Sequence, residues 1–328
     1  MSRSRARGGA LLMVLWLSTA LSVIAFSVAL RVRTELERSA GDAEGLRAYY
    51  LACGALERAF TYMKYGPGPR DAEGRARWWD PLSPVMVLPF PEGVAVVEII
   101  PESSRFNVNA ISREELQRLL FALGVEPERA ALITAGILHW RGSELSDLDT
   151  RYLSSVPSFR APRASLEQIE ELMSVAGVTP GIFYGGFTRT PGGGLVRRAG
   201  LRDVLSVFSS GAAFDINTVH PAVMIAAGVS PPAADAIVAL RRQAPIRDMQ
   251  AVAPLLGPAA ARFRLAGDNI YTLTATARLR MPDGRLSDLR RSVAMTVQMH
   301  STVSPDAYRI LAWQDTAPAA GWEEAWPR

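Results

Sequence analysis

From Gly9 to Leu30 the chain runs for 22 residues without a charge, mostly Leu, Val, Ala, Met, Trp and Phe. Wound as a helix, that run is about 33 Å long, enough for a hydrocarbon core of roughly 30 Å. Arg3, Arg5 and Arg7 precede it, which favours a cytoplasmic N-terminus and an exported bulk. A cleaved signal peptide would have a shorter apolar region and a small-x-small cleavage site. Ala25-Phe26-Ser27 is a poor match to such a site, so a spanning anchor is the better reading.

The helical pattern does not stop at the membrane. No proline occurs from Arg31 until Pro67, and Leu36, Ala40, Ala43, Leu46 or Arg47, Tyr50, Gly54 and Phe60 recur at spacings near three and four. That spacing predicts one long helix, membranous in its first half and docked in its second through this face. Gly41, Gly45 and Gly54 each weaken a helix by up to about 1 kcal/mol, which packing against a folded body must offset.

With 328 residues and 48% apolar content, the rest can form two domains, or one with an appendage. The formal charge of +4 loses its three leading arginines if the leader is removed, leaving about +1, whereas nucleic-acid binders carry basic charge on the folded part. The one cysteine, Cys53, lies in predicted helix and reads as a small buried apolar group. His139, His220 and His300 offer no zinc spacing, and no serine elbow with a positioned base appears. The composition points away from an enzyme.

Beyond a break at Gly66–Trp79, the run from Val94 to Ile100 predicts a strand, and the Pro84–Pro91 run an edge strand or loop. Ser112 followed by Glu115 forms a capping box before an apolar stripe. A second helix follows Pro127, and Ala164–Ala176 reads as a third with Ser165 as cap. Three helices end alike, in Gly-Val-x-Pro at 124–127, 177–180 and 228–231. Glycine suits a left-handed cap and proline the next first turn. FNVN (106–109) precedes the first unit and FDIN (214–217) the last, an internal repeat. Asn109 and Asn217 are expected to cap a helix or fasten a strand end, with Thr218 or His220 as the second cap. Pro191-Gly-Gly-Gly lacks the Gly-Lys-Ser of a P-loop. Leu201–Ser209 predicts a strand returning to the sheet. Asn269–Leu279 and Arg291–Met299 predict an antiparallel hairpin.

A basic leader ending in glycine, an apolar helix that becomes amphipathic, and FNVN, SLEQIEELMSVAGVTP and FDINTVHPAVM in that order resemble the minor pseudopilins of K type. These belong to the type II secretion branch of the type IV pilin-like superfamily. The resemblance implies an α+β fold: a long N-terminal helix packed on an antiparallel sheet, with a large inserted helical domain of helix-hairpin-helix-like repeats. It divides the chain into a leader (1–8), a transmembrane half-helix (9–30) and a periplasmic half-helix (31–65). First sheet strands (80–105), an inserted domain (106–200) and a returning strand (201–212) follow. A second repeat segment (213–260), C-terminal strands (261–312) and an irregular tail (313–328) complete it.

The resemblance further implies cleavage by a prepilin peptidase between Gly8 and Gly9, or just after Gly9, and methylation of the new N-terminus. Most relatives carry glutamate at the fifth mature position, where this chain has Met13. A carboxylate in hydrocarbon requires a partner charge, so its absence fits an end of the filament. The implied partners are other minor pseudopilins in a tip complex, the major pseudopilin, the inner-membrane assembly platform, an outer-membrane channel and secreted substrates. Some relatives bear a calcium-site-like loop. Here Glu144, Asp147 and Asp149 stand in that region and Arg141 where an acid is common, too few carboxylates for the six to eight oxygens calcium takes. No cofactor is expected.

The rival reading is a membrane-anchored periplasmic DNA receptor built from helix-hairpin-helix units. Such turns offer backbone N–H groups to phosphate. Here proline takes their place, and Glu126 and Glu128 flank one turn. No nucleic acid is expected.

Overall fold

The computed structural model describes residues 6–66, 68, 78–142, 147–189, 193–211, 213–300 and 308–318. Helix α1 (Ala6–Tyr65) is unbroken over 60 residues. From Gly9 to Glu44 nearly every side chain is exposed, whereas from Gly45 onward one face is covered. Ala48, Ala52, Ala55 and Ala59 are fully buried there, with Leu56, Phe60 and Met63 filling the space between them. Alanines at three- and four-residue spacing bring a helix axis close to a sheet without sacrificing helix propensity.

This corrects the expected docking face. Leu36 is 66% and Tyr50 65% exposed, and Leu46 is also open; Phe60 alone of the large apolar residues on that stripe is buried. The helix carries two apolar stripes of similar spacing. The alanine-rich one lies on the strands because its short side chains permit closer packing.

The sheet has five antiparallel strands in the order β1 (Val85–Phe90), β2 (Gly93–Pro101), β9 (Ile270–Leu279), β10 (Arg291–Met299), β11 (Tyr308–Gln314). Strands β3 to β8 belong to the insertion. Val97 pairs Ala275, and Ala275 pairs Val293, so a buried row runs across the strands beneath α1. Leu273, Ala275 and Ala277 of β9 are fully buried. The irregular tail expected from 313 begins later, since Trp313 and Gln314 still belong to edge strand β11. Residues 319–328 lie outside the described ones.

The helix fixes the sheet's orientation. Gly93, at the start of β2, lies against Leu51, and Arg291, at the start of β10, lies against Gly45. At the opposite end Tyr308 meets Phe60 and Tyr271 meets Trp79. Since α1 leaves its apolar segment at Leu30, the Gly93 end is proximal to that segment and the Pro101–Tyr271 end distal. The chain enters the insertion after Pro101 and rejoins the sheet at Ile270, both at the distal end.

The insertion has its own core. Two similar units make it. In the first, β3 (Phe106–Asn107) leads into α2 (Arg113–Ala122), α3 (Pro127–Trp140) and α4 (Leu148–Leu153). A short 3-10 turn (Ile169–Ser174), α5 (Pro180–Phe183), a hairpin of β4 (Gly186–Arg189) and β5 (Leu195–Arg198), α6 (Leu201–Val204) and β6 (Leu205–Ser206) follow. In the second, β7 (Phe214–Asp215) leads into α7 (Pro221–Ala226), α8 (Pro231–Gln243), α9 (Ala253–Leu256) and β8 (Phe263–Arg264). Each unit is closed by a short parallel pair, β3 with β6 and β7 with β8.

Two expectations fail here. Leu201–Ser209 is not a strand of the main sheet: Asp203 accepts the Gly200 N–H at 2.9 Å and starts a helical turn. Only Leu205 and Ser206 pair, with β3. The place beside β2 is filled by β9. The insertion therefore continues through 261–268 instead of ending at 200. Nor is Ala164–Ala176 a helix capped by Ser165. Leu166 has its N–H and carbonyl tied to Asn109, so a helix cannot run through it. Glu171 instead accepts the Glu167 and Gln168 N–H groups over one 3-10 turn.

Candidate functional site

The apolar half of α1 is the first candidate. It is the one described helix long and apolar enough to cross a membrane. Three of its hydroxyls bond within the helix: Ser22 donates to the Ser18 carbonyl at 2.8 Å, Thr19 to that of Trp16 at 2.9 Å and Ser27 to that of Ile24 at 2.8 Å. That arrangement lets polar residues sit in lipid without orphaned donors. Gly8, Gly9 and Met13 all lie within α1, and Met13 is exposed.

The junction between sheet and insertion is the second. Glu102, which follows the last residue of β2, is buried. Its carboxylate accepts from Thr272 of β9 at 2.7 Å, from the Arg105 guanidinium at 2.8 Å and from the Ser206 hydroxyl. One residue thus ties the sheet to the entry and closing strands of the first unit. Arg247 pairs with Asp80 at 2.5 Å, adding a second tie. Nothing local in the sequence marks Glu102, since the strand it follows carries a second carboxylate, Glu98.

Within the insertion, the repeated motifs place like residues in like roles. Asn109 Nδ2 donates to the Leu166 carbonyl at 3.0 Å while its Oδ1 accepts the Leu166 N–H at 2.8 Å. Asn217 does the same to Ile246, at 3.0 and 2.8 Å. Both asparagines fasten a distant loop; neither caps a helix. Arg141 donates to the Val108 carbonyl, and Arg241 to those of Ile216 and Val219. Phe106 and Phe214 meet edge to face, with centroids 4.8 Å apart, where the units join. Gly124, Gly177 and Gly228 have φ of +72°, +87° and +107°, the left-handed region suited to glycine. The prolines that follow open α3, α5 and α8.

Ser112 accepts the Glu115 N–H, and Glu115 reaches back to the Ser112 N–H at 3.2 Å. At α7 the cap is His220, whose Nδ1 accepts the Ala222 N–H at 3.1 Å. Thr218 is not the cap: its hydroxyl donates to buried Asp215 at 2.5 Å. Burial pushes the Asp215 carboxyl up and pulls His220 down to about 4.

Of the acidic loop, Glu144 lies outside the described residues, and Asp147 starts α4 without a side-chain cap bond. Asp149 accepts from His139 at 3.0 Å and from Arg163. Those hydrogen bonds hold its carboxyl below the usual range, so its charge is met by a guanidinium. Among the described residues no group of three His, Cys, Asp or Glu is arranged to hold a metal. Near the last repeated turn, Arg241 donates to the carbonyls of Ile216 and Val219 and Arg247 pairs with Asp80, so neither guanidinium is offered to a phosphate.

A long apolar helix docked by its second half on an antiparallel sheet defines a pilin-like protein. Residues 104–184 match the family model described as type II secretion system (T2SS), protein K. The chain is also 26% identical over 199 residues to the type II secretion system protein K of Klebsiella pneumoniae. That match takes in 55% of this chain and 60% of the relative's length. The fold is similar to a chain in the crystal structure of the GspK-GspI-GspJ complex of enterotoxigenic Escherichia coli. The TM-score is 0.56 at 16% identity, covering 86% of this chain and 100% of that one. Over residues 104–184 the chain is thus similar to protein K of the type II secretion system, on a pilin-like fold.

Proposed function

We propose that the protein is a minor pseudopilin of a type II secretion machinery, anchored in the inner membrane with its body in the periplasm, and that it caps the pseudopilus tip. The observation that carries this reading is the site of the insertion. Both connections to it leave the end of the sheet farthest from the apolar helix. Bulk stacked above the sheet leaves no room for another subunit on top, yet leaves the lower half of α1 open to neighbouring helices. The likeness to a chain of a GspK-GspI-GspJ complex supports minor pseudopilins as its companions. The major pseudopilin, the assembly platform, an outer-membrane channel and secreted proteins are further partners on this reading.

Assembly follows from the helix. A prepilin peptidase removes the arginine leader at Gly8–Gly9, and the freed segment packs among similar helices. Met13 brings no carboxylate that must find a neighbour's amine, while Gly9, Ser18 and Ser22 allow close approach. The role is mechanical, not catalytic. Mass spectrometry of the N-terminus in cells containing the peptidase tests it: a methylated Gly9 is expected. An intact leader, or cleavage near residue 27, overturns it.

A further inference from the structure

The hairpin of β4 and β5 is built in an unusual way for so small an element. Its base is tightly held. Gly185, at φ +76°, and Gly200 cross so closely that a Cβ on the first would lie 2.1 Å from the Arg198 carbonyl oxygen. A Cβ on Gly200 would lie 2.3 Å from that of Phe183. Arg198 donates to the Leu123 carbonyl at 3.0 Å, and Arg197 forks onto both oxygens of Asp203 at 2.9 Å.

Beyond that base, all eight strand residues are exposed. Phe187 is 72%, Leu195 66% and Val196 56% open to solvent. The register places Phe187 across from Arg197 and Leu195 across from Arg189, so one face presents two large apolar groups between two guanidiniums. Among the described residues the hairpin forms a sheet of two strands only. An isolated two-stranded ribbon is marginal in water, and an open, apolar edge is normally covered.

Charge decides what covers it. From Leu172 to Arg202 the chain has four arginines and no acidic residue. Arg197 is already met by Asp203, but a second copy of the same hairpin would bring Arg189 against like charge, and a basic or neutral partner would gain nothing from Arg189. We propose that this hairpin is a docking site for an acidic protein segment, one that alternates carboxylates with apolar side chains and adds to the ribbon as a further strand. Backbone pairing along the open edge supplies affinity, and Phe187 and Leu195 supply the apolar anchor. Arg189 supplies the preference for acid. The inference stands without the assembly reading, because none of these residues belongs to α1 or to the junction at Glu102.

The test uses the full-length protein in neutral detergent, titrated with the octapeptide (Glu-Val)4 and with (Lys-Val)4, and sedimented with phosphatidylglycerol and phosphatidylcholine vesicles. The acidic peptide is expected to bind, more weakly at high salt, and the basic one not. Phe187→Ser with Leu195→Ser is expected to weaken binding about tenfold or more, as is Arg189→Glu. All three positions are exposed, so the variants keep the fold. Leu153→Ser, exposed on α4, serves as a control that leaves binding unchanged. Equal binding of both peptides, no binding, or full binding by the hairpin variants overturns the proposal. So does phosphatidylglycerol-specific sedimentation that depends on Phe187 in place of peptide binding, which would make the hairpin a lipid contact.

Discussion

Asn217 grips Ile246 by both backbone groups, donating to its carbonyl at 3.0 Å and accepting its N–H at 2.8 Å. Asn109 holds Leu166 in the same manner. The two side chains do the work of a two-residue sheet, across 29 residues in one unit and 57 in the other. An amide suits the task because it is the neutral side chain that can both donate and accept in one plane.

Replacing Asn217 by Ala strands two buried backbone groups. The expected loss is about 2–4 kcal/mol, since each unsatisfied buried group costs about 1–3 kcal/mol. Asn109→Ala is expected to cost less, because Asn109 is half-buried whereas Asn217 is buried. Denaturant midpoints of the two variants check the order. Equal losses would mean that burial does not govern the bond.

His220 makes stability depend on pH. Burial, with Arg241 and Arg197 nearby and only Asp203 opposing, lowers its pKa to about 4 from 6.5. The folded state favours the neutral ring, whose Nδ1 must accept the Ala222 N–H. Its contribution is complete above pH 6.5 and is lost as pH falls toward 4, where the unfolded chain is protonated and the folded one is not. About 3 kcal/mol is expected to go over that window. Asp215, raised by burial, contributes with the opposite sign, so the comparison is with His220→Ser. That variant keeps a cap and should show a flatter pH profile by thermal denaturation. Parallel profiles would contradict the prediction.

Glu102→Ala is expected to cost about 3–5 kcal/mol, because it leaves the Arg105 charge in a largely buried place without its partner. Thr272→Val removes one neutral donor to the same carboxylate and should cost only about 1 kcal/mol. Urea unfolding followed at Trp79, near the sheet, and at Trp140, in the insertion, reads both. A Glu102→Ala loss no larger than that of Thr272→Val would show that the carboxylate does not tie the two parts together.

Gly200→Ala is expected to open the hairpin base, since no side-chain shift relieves a Cβ set against backbone at 2.3 Å. Overpacking of this kind costs about 1–3 kcal/mol or more. Gly193→Ala, which meets no atom within 4 Å but sits at φ +83°, pays only local strain of about 1–2 kcal/mol. Limited proteolysis should cut the Gly200 variant near residues 183–200 well before the wild type, and the Gly193 variant only slightly faster.

What the sequence determined by itself is the part governed by rules a few residues long. The uncharged run to Leu30 dictated a helix long and apolar enough to cross a membrane, and the alternation in β9 and β10 dictated their pairing. Gly-Val-x-Pro dictated three left-handed turns, because φ preference belongs to the residue and its neighbours. The tertiary structure decided which of two similar stripes on α1 meets the sheet, since only the opposing strands select alanines over Leu36 and Tyr50. It also decided that Leu201–Ser209 closes the insertion instead of joining the sheet, and that Asn109 breaks the helix expected at Leu166. The last two outcomes depend on partners 57 to 104 positions away, and a hydrogen bond across such a distance leaves no periodic trace in the chain that makes it.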